Sequence, residues 1–419
     1  WLEDGRIAGI DPEMVSSSAE KLDGSGLTLL PGLVDSHVHI TQHPLGHWLD
    51  LSEADEREFH IRYLRSYLAW GVTTVLDPGI AEDKARYIRA LSEDNGGPDV
   101  QILGPLFGPL DGYPSAIFSE LEGVSKPNQI ATRFDEFESL DPRGIKVTFE
   151  DGPIRKIWPL FSAEMLREID AEAEARSLPI YVHAMDPEMT RKALKLEPHA
   201  LVHASQKGGR ALAREVKRSE AYVISTLVIV GGSEWMSKKK EKEWKRKRVK
   251  RSIPAQQRAL LKDPDIMELA LEQGLETYAP GMNSKQAERL IRIIQSSIPR
   301  RVQKAERALA HQHKVGVPLV LGSDSGGSPV VPYLVHGFST HMELELLSRA
   351  GLSPLEVIRA ATLTPAEMMG LEDELGTIEV GKRADLIVVE GDPLTDINAL
   401  ARPRWVIRDG DLRTPKEWL

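Results

Sequence analysis

Short apolar runs rich in strand-forming residues recur eight times along the chain, and most lead into an amphipathic helical pattern. The eight runs are Gly32 to Ile40, Gly71 to Asp77, Val100 to Phe107, Gly144 to Glu150, Pro179 to His183, Ala200 to His203, Ala221 to Val230 and Val317 to Asp324. Between them, Ser52 to Trp70, Glu82 to Ser92, Ser162 to Arg176 and Lys285 to His311 place apolar residues at helical spacing with charges elsewhere. Strand and helix alternating in this way predict a parallel sheet. Eight continuous apolar strands favour a closed (β/α)8 TIM barrel over an open sheet.

The two ends do not share the alternation. Trp1 to Leu30 and Gly376 to Leu419, the latter containing GTIEVGKRADLIVVEGDPL and RWVIRDGDL, consist of short strand-like runs and turns. They are expected to pair into one small β-sandwich domain, discontinuous in sequence (1–30 plus 372–419), around a barrel spanning 31–371. A length of 419 residues suits one large α/β barrel with such an appendage.

The chain has no cysteine, which excludes disulfides, a thiolate nucleophile and a thiolate metal site. Any metal must be held by imidazole, carboxylate or something less usual. The excess of 63 acidic over 53 basic residues argues against a nucleic-acid partner. No apolar run reaches the ~20 residues that span a bilayer, so no membrane partner is expected. One segment departs from the acidic balance: SKKKEKEWKRKRVKR, Ser237 to Arg251, carries ten basic and two acidic residues. It reads as a solvated helix or as an anion-binding or lid element beside the barrel mouth. The chain opens on Trp1 rather than methionine, so residues are expected upstream; localisation stays open, with the cytoplasm favoured.

Histidines end the strands. His37 and His39 in SHVHI lie two apart, and in a strand such residues share one face about 6–7 Å apart. Alone the pair is a weak signal, since His311 and His313 repeat the spacing on a helical stretch, where it diverges. His183 ends PIYVH and His203 ends ALVH, and a barrel gathers its C-terminal strand ends around one mouth. Strand eight, VPLVLGSDSGG, delivers Asp324 to the same place. DSGG also surrounds the nucleophile of chymotrypsin-like serine proteases, but those are antiparallel β proteins and this motif ends a strand of an alternating β/α chain. Ser325 is therefore read as a turn residue. Lys146 in GIKVTFE sits inside an apolar strand, where a free ammonium is costly. Either its stem is buried and its amine reaches solvent or a carboxylate, or carbon dioxide converts it into a carbamate that can bridge two cations.

With PGLVDSHVHI, GVTTVLDPG, GIKV, YVHA, LVHAS, LGSDSGG and the C-terminal run from HMELELLSRAG to GKRADLIVVEGDPL, the whole chain resembles the amidohydrolase superfamily in its binuclear form. The C-terminal stretch is most similar to the imidazolonepropionase and Xaa-Pro dipeptidase branch. The resemblance implies two divalent metal ions, zinc foremost, held by His37, His39, Lys146 as a carbamate, His183, His203 and Asp324. It also implies hydrolysis of an amide bond in a peptide-like, N-acyl amino acid or cyclic amide substrate through a metal-bridging hydroxide, with Asp324 shuttling the proton. Lactone or phosphotriester hydrolysis is the runner-up, and a catalytically idle assembly protein the remote one. A small-molecule substrate and a homo-oligomer are expected. Where related peptidases carry Gly-Gly-His after strand three, this chain reads GPLDGYP, leaving Tyr113 either to contact substrate or to pack in its loop. His43 and His47 either line the mouth or lie in the surface loop after strand one.

Overall fold

Gly32 opens the barrel by close approach: a Cβ there would lie 2.0 Å from Thr73 Oγ1. In the computed structural model, which describes every residue except 11–18, 44–48, 50, 119–120, 153–155, 233–246, 261–262, 264 and 328–332, β1 (Leu33–Asp35) pairs in parallel with β2 (Val72–Asp77). β2 pairs with β3 (Asp99–Ile102), which continues past Pro105 as Leu106–Phe107 and pairs there with β4 (Ile145–Thr148). Pro105 has no N–H to give to the ladder, which explains why the predicted third strand is interrupted; its carbonyl still accepts from Lys146 N at 3.1 Å. β5 (Ile180–His183), β6 (Ala200–Val202), β7 (Tyr222–Ile224) and β8 (Leu319–Val320) follow, all parallel. The barrel closes where Ser36 N donates to Leu321 O at 3.0 Å and Asp324 N donates to His37 O at 2.7 Å.

Three strands are much shorter than expected. The run Gly32 to Ile40 is a strand only over Leu33–Asp35, so His37 and His39 follow it, on either side of Val38, which bridges to Ser325. The run Ala221 to Val230 leaves the sheet after Ile224 and turns at Thr226 into a helical turn, Val228–Gly231. The eighth ladder stops at Val320, although the following residues still bond to β1.

Period-two alternation sorts each strand between two cores. Leu33, Val75, Val147, Val182, Leu201 and Val223 face outward and pack in the layer shared with the helices. Val34, Leu76, Tyr181, Val202, Ile224 and Val320 fill the barrel interior. Helix Leu363–Met369 adds Ala366, Met368 and Met369 to this inner core. Its Met368 carbonyl accepts from Tyr181 Oη at 3.1 Å and lies 2.8 Å from His199 Nε2. Each buried methionine there contributes about 1.5–3 kcal/mol. With that end plugged, the C-terminal strand ends are left for the site.

Both chain ends build one antiparallel sheet, in the order Asp411–Arg413, Pro403–Arg408, Leu386–Glu390, Leu27–Pro31. Ile387, Val389 and Val406 on one face join the barrel's outer core. Leu386 and Ile407 on the other pack with Ile7 and Ala384, covered by the hairpin of Leu2–Glu3 and Arg6–Ile7. The fold is thus a TIM barrel with a β-sandwich made by both termini. Among the described residues no helix is long and apolar enough to cross a membrane.

Of the basic run, residues 237–246 lie outside the described residues; Lys247–Ser252 is helical, with Val249 buried.

Candidate metal centre

β1 delivers its two histidines because its tip is clamped. The Asp35 carboxylate, fully buried, accepts from Thr340 Oγ1 at 2.6 Å, Ser323 N at 2.9 Å and His37 N at 3.4 Å, joining the tips of β1 and β8. Burial pushes its pKa up to about 6 against those hydrogen bonds. Beyond the clamp, His37 Nε2 and His39 Nε2 lie 3.2 Å apart. Asp324 Oδ1 is 3.1 Å from the first and 3.2 Å from the second. The sequence-predicted pair and the strand-eight carboxylate therefore meet as one triangle of ligand atoms.

β4 and β5 supply the other side. Ile145 and Val147 face the outer core, so alternation turns Lys146 inward, where it is 2% exposed. The same argument from Tyr181 turns His183 inward. The His203 ring stands 4.7 Å from His37 and 4.7 Å from His183, centroid to centroid. His203 and Asp324 take left-handed backbone conformations, φ 74° and 52°, where their strands end. Such conformations cost roughly 1–3 kcal/mol each and concentrate at functional sites. Thr226 Oγ1, 2.8 Å from His203 Nδ1, fixes that ring. Asp77 Oδ1 stands 3.7 Å from His39 Nδ1, an ion-pair distance longer than a hydrogen bond.

Burial lowers the His37 imidazole to about 3, assisted by the Lys146 charge and opposed by Asp324. Burial likewise lowers His183 and holds His203 well below the usual range. Burial alone would raise Asp324, but His37 and His39 reverse this and hold its carboxyl well below the carboxylate range. Burial brings Lys146 down to about 8 against the pull of Asp324 and Asp77. Burial thus favours the neutral, lone-pair form of His37, His183 and His203, while Asp324 is favoured as the carboxylate.

The residues fit a metal. Both ring nitrogens of His183 are buried without hydrogen-bond partners. Leaving such groups unpaired is costly unless something else takes the lone pairs. Ligand atoms ~2.0–2.1 Å from one ion at tetrahedral or octahedral angles lie about 2.9–3.4 Å apart, and the three atoms of the triangle are spaced at 3.1 to 3.2 Å.

The other candidates divide. Tyr113 stacks on His183 at 4.6 Å and lies 5.9 Å from Trp158, so it is beside the site. His43 lies against α1 (Glu53–Ala69), with its ring 5.6 Å from that of Tyr63, and His47 lies outside the described residues. His311 and His313 end the helix Ser284–Lys314, with His313 facing Glu356 at 3.7 Å. Ser325 is more than a turn residue: it is buried and bridges Val38, its carbonyl accepting from His39 N at 2.8 Å.

Sequence reasoning passed over Asp77, Glu150 and Thr226. Glu150, buried at the end of β4, has Oε2 3.7 Å from His183 Nε2. Asp77 and Glu150 end their strands, the same signal that marked the histidines.

The double glycine after Ser325 is needed for space. Gly326 has φ +85°, and a Cβ there would lie 2.4 Å from the His39 carbonyl; at Gly327 it would lie 2.6 Å from Asp324 Oδ1. Gly326→Ala is expected to cost about 2–4 kcal/mol from left-handed strain and overpacking, seen as a lower unfolding midpoint accompanied by metal loss.

The family model of the Amidohydrolase family matches residues 28–410. An L-hydantoinase of Paenarthrobacter aurescens is 23% identical over 433 residues, covering 95% of this chain and 83% of that protein. An imidazolonepropionase of Thermoplasma volcanium is 32% identical over 82 residues, 20% of this chain and 19% of that protein. A solved Xaa-Pro dipeptidase with methionine bound in its active site is similar in fold, with a TM-score of 0.72 at 20% identity over 99% of this chain and 94% of that one. The chain belongs to the amidohydrolase family and is a hydrolytic enzyme.

Proposed function

We propose that this enzyme hydrolyses an amide C–N bond in a peptide-like, N-acyl amino acid or cyclic amide substrate, using two divalent ions held by His37, His39, a carboxylated Lys146, His183, His203 and Asp324. The reading rests above all on the arrangement at the barrel mouth. A tight triangle of ligand atoms lies on one side, and on the other His183 has two orphaned ring nitrogens. Lys146 is close enough for its charge to be felt by His37, His183 and His203. The hydantoinase and Xaa-Pro dipeptidase relatives carry names that support an amide substrate.

When bound, the ions supply a water with its pKa lowered towards about 7 and polarise the scissile carbonyl. The remaining work falls to side chains of this chain. Asp324, held ionised by its histidine neighbours, takes the proton of the attacking water and gives it to the departing nitrogen. Thr226 fixes the His203 ring, and Asp77 faces the outer nitrogen of His39. Tyr113 and Trp158 form an aromatic wall against His183, suited to an apolar part of the substrate. The neutral Lys146 amine adds to carbon dioxide through its lone pair and releases one proton, becoming an anionic carbamate. Burial lowers the Lys146 amine to about 8 against the charges of Asp324 and Asp77, which enlarges the uncharged fraction that this step needs.

The test is a panel of dipeptides, N-acyl amino acids, hydantoins, lactones and phosphotriesters on metal-replete protein. Turnover of an amide above the esters is expected. Turnover confined to lactones or phosphotriesters would overturn the reading.

A further inference from the structure

The junction between β1 and α1 holds a second group of ligand-type side chains that the proposed reaction does not use. His43 follows β1, and Glu56 and His60 lie four apart on α1, on the same face. One ligand atom from each lies within 4.8 Å of the others. The two imidazoles are parallel, with centroids 5.2 Å apart and planes at 13°. His43 Nδ1 is engaged by Tyr63 Oη at 3.1 Å, and His60 Nδ1 faces Tyr87 Oη at 3.5 Å. That leaves the Nε2 side of each ring, and His60 Nε2 is fully buried with no hydrogen-bond partner. A histidine that ligates a metal characteristically engages its other nitrogen in such an outer contact, which fixes the ring and its tautomer.

The neighbouring histidine behaves differently. His336 is equally buried, yet both its nitrogens are used, Nδ1 with Tyr67 Oη at 2.9 Å and Nε2 with the Gln42 carbonyl at 3.0 Å. A buried histidine in this region can therefore satisfy both nitrogens, which His60 does not. Glu56, in the first turn of α1 and only half-buried, has the side-chain freedom to close on an ion.

We infer that His43, Glu56 and His60 form a further divalent transition-metal site, separate from the barrel-mouth centre, that ties the segment after β1 to α1. Two imidazoles and a carboxylate suit zinc, with room for water as a fourth ligand.

Zinc titration of the chain, followed by elemental analysis after removal of loosely held metal, tests the inference. Glu56→Gln and His43→Gln should each remove one equivalent of zinc, or weaken it at least tenfold, while hydrolytic turnover with the mouth metals in place is retained. His60→Gln should do the same if it folds; Glu56→Gln, at a half-buried position, keeps the test decisive if it does not. His183→Ala should deplete the mouth and leave this equivalent in place, so failure of the mouth assignment can be told apart from failure of this one. Identical zinc stoichiometry and affinity in the unmodified chain and Glu56→Gln would overturn the site.

Discussion

Asp324→Asn should lower turnover by about 10²–10⁴-fold while metal content falls far less. The carboxylate oxygen facing His37 and His39 at 3.1 and 3.2 Å has an amide counterpart of the same shape, so one coordinating oxygen is kept. What asparagine lacks is proton affinity. It cannot take the proton of the attacking water or pass it to the departing nitrogen, so the loss falls on kcat. Metal content and steady-state rates measured on the same preparation separate the two roles. Near-normal turnover with both metals bound would move the shuttle to another group.

Lys146→Ala has a different signature. Position 146 is buried between outward-facing Ile145 and Val147, and its side chain projects into the barrel, close enough for its charge to act on His37, His183 and His203. Alanine removes the proposed carbamate, so activity should fall by more than the roughly 10–100-fold typical of losing an outer-shell partner. Added bicarbonate should not restore it, because no amine remains to be carboxylated. A short carboxylic acid, which can enter the vacated space and offer two oxygens, should restore part of it. An unmodified amine seen by crystallography in fully metallated protein would contradict the assignment.

The parts of this site that could be read from the sequence were those obeying two simple rules: alternation along a strand and convergence of C-terminal strand ends in a barrel. Together they bring His37, His39, His183, His203, Lys146 and Asp324 to one mouth without knowledge of any contact. The same rules apply to Asp77 and Glu150, but a carboxylate at a strand end is a common turn residue, and neither stood out in the sequence. Thr226 could not be found this way. Its strand was read as running to Val230, whereas the chain turns at Thr226, with φ 45°, under a carboxylate outside the pattern: Glu343 accepts from Ser225 Oγ at 2.6 Å and from the backbone N–H groups of Leu227 and Val228 at 3.0 and 2.7 Å. Burial raises Glu343 to about 7 against these hydrogen bonds, a long-range tertiary effect with no local signal. The same holds for the His43, Glu56 and His60 group. Only the packing of α1 beside the loop after β1 brings the third residue to the helical pair.

The end domain shows where pattern reading worked. Leu386 and Ile387 are adjacent yet enter different cores, one under the N-terminal hairpin and one against the barrel. Four consecutive apolar residues in LIVVE suit a strand covered on both faces, and its pairing with the distant Leu27–Pro31 follows once both ends are read as β.

The most direct test of the account is to follow turnover and metal content together as a chelator strips the protein and divalent metal is added back. Turnover should fall in step with removal of the two ions assigned to the barrel mouth and return as they are restored, whereas a metal-free preparation with full turnover would contradict the account.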